Sequence, residues 1–181
     1  QEGHVAHYRA IADAAGLPLF VYNIPGRTGV NILPETIAKM AEHPMIVGVK
    51  EASGSLDQIS RLIQLTEGRM TVLSGDDSLT LPLIAVGGHG VIAVVSNLVP
   101  GKTVALVRAA RAGDFETARK LHYELLPIIQ ALFTETNPIP VKAAMAMLGK
   151  CGPELRMPLT PITEPNRKRL EAVLRAHGLL V

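Results

Sequence analysis

The feature that most constrains this chain is a set of short runs in which consecutive residues, rather than alternate ones, are apolar: "LPLFVYN" (17–23), "MIVGVK" (45–50), "MTVLSG" (70–75) and "HGVIAVVSN" (89–97). A strand with one wet face carries a polar residue at every second position. A strand covered on both faces does not, and that pattern belongs to parallel sheets. The four runs predict four such strands.

Helical periodicity fills the gaps. Val5, Tyr8, Ile11, Ala14 and Ala15 share a face before the first run. In "LPETIAKMAEH" (33–43), Pro34 sits at a predicted first helical position ahead of Ile37, Met40 and Ala41. "SLDQISRLIQLTEG" (55–68) puts Leu56, Ile59, Leu62 and Ile63 on one side and stops at Gly68. Helical pieces at 78–86 and 101–112 complete an α(βα)×4 series, with strands roughly 20 to 27 residues apart as βα units require. After Gly113 the strands cease: 114–135, 138–149 and 165–178 are three helical patterns, the first with Asp114 as predicted N-cap and Pro127 as a predicted kink or break. The predicted domains are therefore 1–113, a partial barrel, and 114–181, a three-helix region.

Four parallel strands fit either an open doubly wound sheet or part of a (β/α)8 barrel. Tyr22 and Asn23, Lys50 and Glu51, Ser74 to Asp77, and Ser96 with Asn97 place polar groups at the C-terminal end of every run. Barrels gather their sites from several strand ends at that rim, whereas open sheets concentrate them at one switch point. The barrel is favoured. Four strands cannot close one, and about 250 residues is usual for the fold. The chain opens without Met on "QEGHVAHYRAIADAAG", so the start is expected to be a cut, with more βα units upstream of Gln1.

Charge and composition exclude several function classes. Lys and Arg number 18 against 16 Asp and Glu, a net +2, too small for a phosphate-binding surface. With 3% aromatic residues and no Trp, a stacking platform for single strands is also excluded. No apolar run reaches the ~18 residues of a membrane span. A lone cysteine, Cys151, rules out an intrachain disulfide; it predicts a reducing, cytoplasmic setting and a small buried or half-buried thiol.

Lys50 is the residue with most chemical promise. It is either an exposed strand end or a desolvated amine, neutral enough to attack a carbonyl and form a Schiff base. Tyr22 ends the preceding strand, and its phenol could carry protons at the same rim or simply cap the core. Arg27, in the turn "NIPGRTGV" (23–30), could hold a carboxylate through two parallel hydrogen bonds or stand in water. The acids of "SGDDS" (74–78) could cap the next helix or do acid/base work. "SNLVPGKT" (96–103) ends like a phosphate loop, but Ser96 stands where that loop needs glycine and Pro100 removes an N–H from the cradle. "GGHGVI" (87–92) precedes its strand, so it is not a dinucleotide fingerprint. The scattered histidines predict no metal site.

Taken in order, "YNIPGRTG" (22–29), "GVKEASG" (48–54), "LSGDD" (73–77), "GGHGVIAVVSN" (87–97) and "NPIPVK" (137–142) resemble the dihydrodipicolinate synthase family of pyruvate-dependent aldolases and lyases, over essentially the whole chain as its C-terminal three-fifths. The resemblance implies the C-terminal half of a (β/α)8 TIM barrel followed by a helical domain, in a homotetramer that condenses pyruvate with aspartate 4-semialdehyde in lysine biosynthesis. It implies Lys50 as the Schiff-base lysine, Tyr22 as the proton-shuttling phenol and Arg27 as the ligand of the semialdehyde carboxylate. Thr28 and Gly29 beside it, and Gly75, Asp76 and Ile92 along the walls, are implied as substrate-binding positions. No cofactor is implied, because the protonated imine is itself the electron sink. The Arg-Thr-Gly of the turn favours this family over N-acetylneuraminate lyases. A 2-keto-3-deoxy sugar acid aldolase or N-acetylneuraminate lyase-like enzyme, and a noncatalytic partial-barrel module, are the alternatives. The family's Thr-Thr pair, a second tyrosine from across a dimer interface and the lysine feedback pocket are expected upstream of Gln1. The chain alone is expected to be inactive.

Overall fold

The computed structural model describes residues 1–180. In chain order its elements are α1 (Glu2–Ala15), β1 (Leu19–Asn23), α2 (Pro25–Thr28), α3 (Pro34–Met40), β2 (Ile46–Glu51), α4 (Leu56–Thr66), β3 (Thr71–Ser74), α5 (Thr80–Ala85), β4 (Gly90–Val91), α6 (Pro100–Arg111), α7 (Phe115–Leu132), α8 (Ile139–Met147) and α9 (Glu164–Ala176). Two compact units emerge, Gln1–Ile92 and the segment from Ala93 onward. Helix α6, which the sequence pattern groups with the strands, thus packs with the helices that follow it.

In the first unit the four strands form one sheet in the order β1-β2-β3-β4, every pair parallel. The register sets Tyr22 opposite Lys50 and Asn23 opposite Glu51, then Lys50 opposite Leu73 and Glu51 opposite Ser74. Because side chains alternate along a strand, each pair of rungs serves both faces. Val21, Asn23, Val49, Glu51, Val72 and Ser74 are buried on one face, where Ile37 and Met40 of α3, Ile59 and Leu62 of α4 and Leu83 of α5 complete the core. The other face is open: Phe20 is 41% exposed and Tyr22 39%, and Lys50, Thr71 and Leu73 are half-buried. Cover on both faces, which consecutive apolar residues predict, is present on one face only. The apolar residues of the second face have no layer against them within the described residues.

The fourth run forms a shorter strand than expected. Among the described residues β4 has a partner only on the β3 side, and β3 stops at Ser74. The Ile92 N–H bonds the Ser74 carbonyl at 2.9 Å, and Val95–Asn97 is a 3-10 turn. A short helix, α2, occupies the turn after β1, where none was expected.

In the second unit Leu106, Leu125, Ile128, Leu132, Leu170 and Leu174 are at most 2% exposed and form the core of α6, α7 and α9. Asp114 caps α7 by accepting the Thr117 N–H at 3.0 Å. That helix runs unbroken through Pro127, so of the kink or break expected there the break does not occur. Pro127 and Tyr123, whose carbonyl loses its partner to the ring, are both exposed, so water can take that carbonyl. Cys151 is exposed, correcting the expected burial: it lies in a stretch of exposed residues after α8, beyond the apolar face of any helix.

Candidate active site

Parallel register brings the two leading candidates together. Lys50 Nζ stands 4.1 Å from the centroid of the Tyr22 ring, on the open face at the C-terminal end of β1 and β2. The ring face attracts a cation, so the ammonium rests on the aromatic surface of its neighbour. Lys50 is half-buried rather than desolvated, since the sheet face around it is uncovered.

Gly75 gives the lysine its path. A Cβ at Gly75 would lie 2.7 Å from Ala52 Cβ and 3.1 Å from both Cγ and Cε of Lys50, so the aliphatic stem runs against bare backbone. The Gly75 N–H bonds the Glu51 carbonyl at 2.7 Å, which fixes that backbone to the strand carrying the lysine. Asp76 is turned to local duty: one carboxylate oxygen accepts the Ser78 N–H at 3.1 Å and the Ser78 hydroxyl at 2.8 Å. Ile92 lies just past β4 and is 45% exposed.

The "NIPGRTGV" turn is built from its own residues. Thr28 Oγ1 donates towards the Ile24 and Val30 carbonyls, at 3.1 and 3.0 Å, and accepts the Val30 N–H at 3.3 Å. Gly29 ends α2 in the left-handed region at φ 71°, its N–H on the Pro25 carbonyl, a conformation glycine takes without Cβ strain. Arg27 lies in the last turn of this helix and is exposed. Tyr22 and Thr28 also help line a cavity of about 220 Å³ with His4, His7 and Tyr8 of α1. Among the described residues no group of three His, Cys, Asp or Glu side chains could hold a metal ion, and no helix is long and apolar enough to cross a membrane.

Beneath Lys50, on the covered face, lies a polar cluster that the sequence reading leaves unassigned. Glu51 is 1% exposed and Asn23 1%. Asn23 Nδ2 donates to Glu51 Oε2 at 2.9 Å and to Asn31 Oδ1 at 2.9 Å, and its Oδ1 accepts the Ile32 N–H at 3.0 Å. Gln58 of α4 donates to the same Glu51 oxygen at 3.4 Å and exchanges hydrogen bonds with Asn31. The only sequence signal was polarity at two strand ends, because Asn31 and Gln58 belong to no motif.

A parallel α/β sheet with amine and phenol side by side on the C-terminal rim fits the class of TIM-barrel-type α/β proteins, whose sites are assembled there. Within that class, the chain belongs to the dihydrodipicolinate synthetase family, whose model matches residues 1–177. A 4-hydroxy-tetrahydrodipicolinate synthase of Thermodesulfovibrio yellowstonii is 53% identical over 180 residues, 99% of this chain and 62% of that protein. Solved dihydrodipicolinate synthases from Thermotoga maritima (46% identity, TM-score 0.96) and Aquifex aeolicus (43% identity, TM-score 0.97) each align with 99% of this chain and 62% of their own. The chain thus spans about 62% of the length of these relatives.

Proposed function

We propose that the complete protein condenses pyruvate with aspartate 4-semialdehyde to 4-hydroxy-tetrahydrodipicolinate, in the cytoplasm and as a homotetramer, with Lys50 as the imine-forming amine. Residues 1–113 would supply four βα units of its (β/α)8 barrel, and the residues from 114 onward its helical region. The observation that carries the reading is the Tyr22–Lys50 rung at the rim of a parallel sheet, in a chain of this family.

The neutral amine adds to the keto carbon, and the carbinolamine loses water to leave a protonated imine on Nζ. That product is a cation, as the resting ammonium is, so the Tyr22 ring face attracts both, by about 0.5–2 kcal/mol. Loss of a methyl proton then gives an enamine. Its carbon attacks the aldehyde, ring closure displaces the lysine by transimination, and no cofactor takes part. The Tyr22 hydroxyl is suited to relay the protons of carbinolamine formation and dehydration. Arg27 is assigned to the semialdehyde carboxylate, which guanidinium geometry matches, with Thr28 and Gly29 shaping its turn. Gly75, Asp76 and Ile92 would line the pyruvate end.

The test is borohydride reduction in the presence of pyruvate, followed by peptide mass spectrometry. A reduced adduct on Lys50 is expected, absent in Lys50→Arg and slow to form in Tyr22→Phe. An adduct at another lysine, or none, overturns the assignment of Lys50. Turnover of 2-keto-3-deoxy sugar acids without turnover of aspartate 4-semialdehyde overturns the substrate.

A further inference from the structure

We propose that Glu51 is a positioning residue for the Tyr22–Lys50 pair, a buried carboxylate that clamps the ends of β1 and β2 in register from the opposite face of the sheet. This rests on the reading of Lys50 as the reactive amine.

A carboxylate 1% exposed is costly to bury unless it is paired or fully hydrogen-bonded. Among the described residues no Lys, Arg or His is paired with it. Its oxygens meet N–H donors instead: Oε1 takes the Ser53 N–H at 2.7 Å, and Oε2 takes Asn23 Nδ2 at 2.9 Å and Gln58 Nε2 at 3.4 Å. Both oxygens are required as acceptors. A carboxylate supplies two and an amide only one, so the site is built for the acid.

The placement of these bonds points to their use. Asn23 and Glu51 face each other on the rung directly after Tyr22 and Lys50. Since a slip of one residue turns every side chain to the other face, a side-chain bridge on one face holds the pair on the other. The clamp extends further than one rung. Asn23 also binds Ile32 through the backbone N–H, and Asn31 joins Gln58 of α4, so the chain returning from the Arg27 turn is tied to the same carboxylate.

The test uses the complete protein and the rate at which pyruvate and borohydride label Lys50. Glu51→Gln leaves one N–H donor facing an NH2 group, and a misplacement near 1 Å slows a positioned reaction by up to about a hundredfold. The expected result is labelling slowed by about tenfold to a hundredfold, with kcat falling more than KM for pyruvate rises. Asn23→Asp combined with Glu51→Gln moves the carboxylate to β1, keeps the charge and restores a donor to face it, so labelling should recover above Glu51→Gln alone. Gln58→Ala leaves the carboxylate in place and removes only its longest bond, at 3.4 Å, together with the exchange with Asn31; slower labelling in it supports the clamp even where Glu51→Gln does not fold. Labelling of Lys50 at the unmutated rate in Glu51→Gln or, where that variant does not fold, in Gln58→Ala overturns the positioning role and leaves Lys50 as assigned. Slowed labelling with no recovery in the swap reduces Glu51 to a structural group and also overturns it. Absence of any adduct on Lys50 in the unmutated protein instead removes the parent reading, and this one with it.

Discussion

Gly75→Ala tests whether the path of the lysine stem matters. The new methyl carbon would sit 2.7 Å from Ala52 Cβ and 3.1 Å from Lys50 Cγ and Cε, where carbon atoms prefer about 3.5–4.0 Å. Ala52 has no rotamer to change, so roughly 1 Å of separation must come from backbone at the ends of β2 and β3. The lysine stem must lift by about 0.5 Å as well. Overpacking of this kind costs about 1–3 kcal/mol, and each kcal/mol lowers the melting temperature by about 2–4 °C in a chain of 150–250 residues. Displacement of Nζ from the Tyr22 ring should also slow imine formation by about tenfold or more. Calorimetry and the rate of borohydride trapping report the two effects separately. Gly101→Ala in α6 is the control, because a Cβ there meets nothing within 4 Å. If Gly75→Ala melts and labels like the unmutated protein, the close approach at Gly75 does not constrain Lys50.

Two further outcomes are expected. Glu135 accepts the Thr163 N–H and hydroxyl and the Asn166 amide, at 3.0, 2.6 and 2.8 Å, and so caps α9, whose N-cap Thr163 makes no side-chain cap of its own. Glu135→Ala should cost about 1 kcal/mol, as loss of a helix cap does, read by denaturant titration; an unchanged midpoint would remove the cap. The Thr163 and Asn166 bonds hold the Glu135 carboxyl below its ordinary 4.5, so its share of stability is present above that value and drains as pH falls through the lowered one. His122 behaves oppositely to a paired histidine. Burial lowers its affinity for protons below the ordinary 6.5, and its Nδ1 has no hydrogen-bond partner among the described residues. The unfolded chain therefore binds the proton more readily, and stability falls as pH drops through about 6.5. His122→Leu should flatten the fall in melting temperature between about pH 7.5 and pH 5; equal slopes in both proteins would show that His122 does not titrate differently on folding.

The strands and the rim were legible because consecutive apolar residues and polar strand ends are local patterns. Val21, Val49 and Val72 fell where the runs placed them. Phe20 and Tyr22 stay exposed within the described residues, since a run of hydrophobic residues records that both faces want cover and not which part of the chain supplies it. No break occurs at Pro127 because helix-breaking depends on whether the orphaned carbonyl can reach water, which a sequence does not state. The Asn23–Asn31–Glu51–Gln58 cluster was invisible for another reason. Its members come from a strand end, a loop, a second strand end and a helix, with no shared period, and only the parallel register makes them neighbours.

That register also bears on how the sheet can form. Among the described residues each strand pairs with its neighbours in sequence, and Leu19 meets Ile46, Gly48 meets Thr71 and Leu73 meets Gly90. Among the described residues no ladder joins strands distant in sequence, so the entropy of loop closure within this sheet is met in small, similar steps. A ribosome delivering this segment would release one rung-partner after another in the order in which the sheet needs them, and Tyr22 would find Lys50 before β4 had been synthesised.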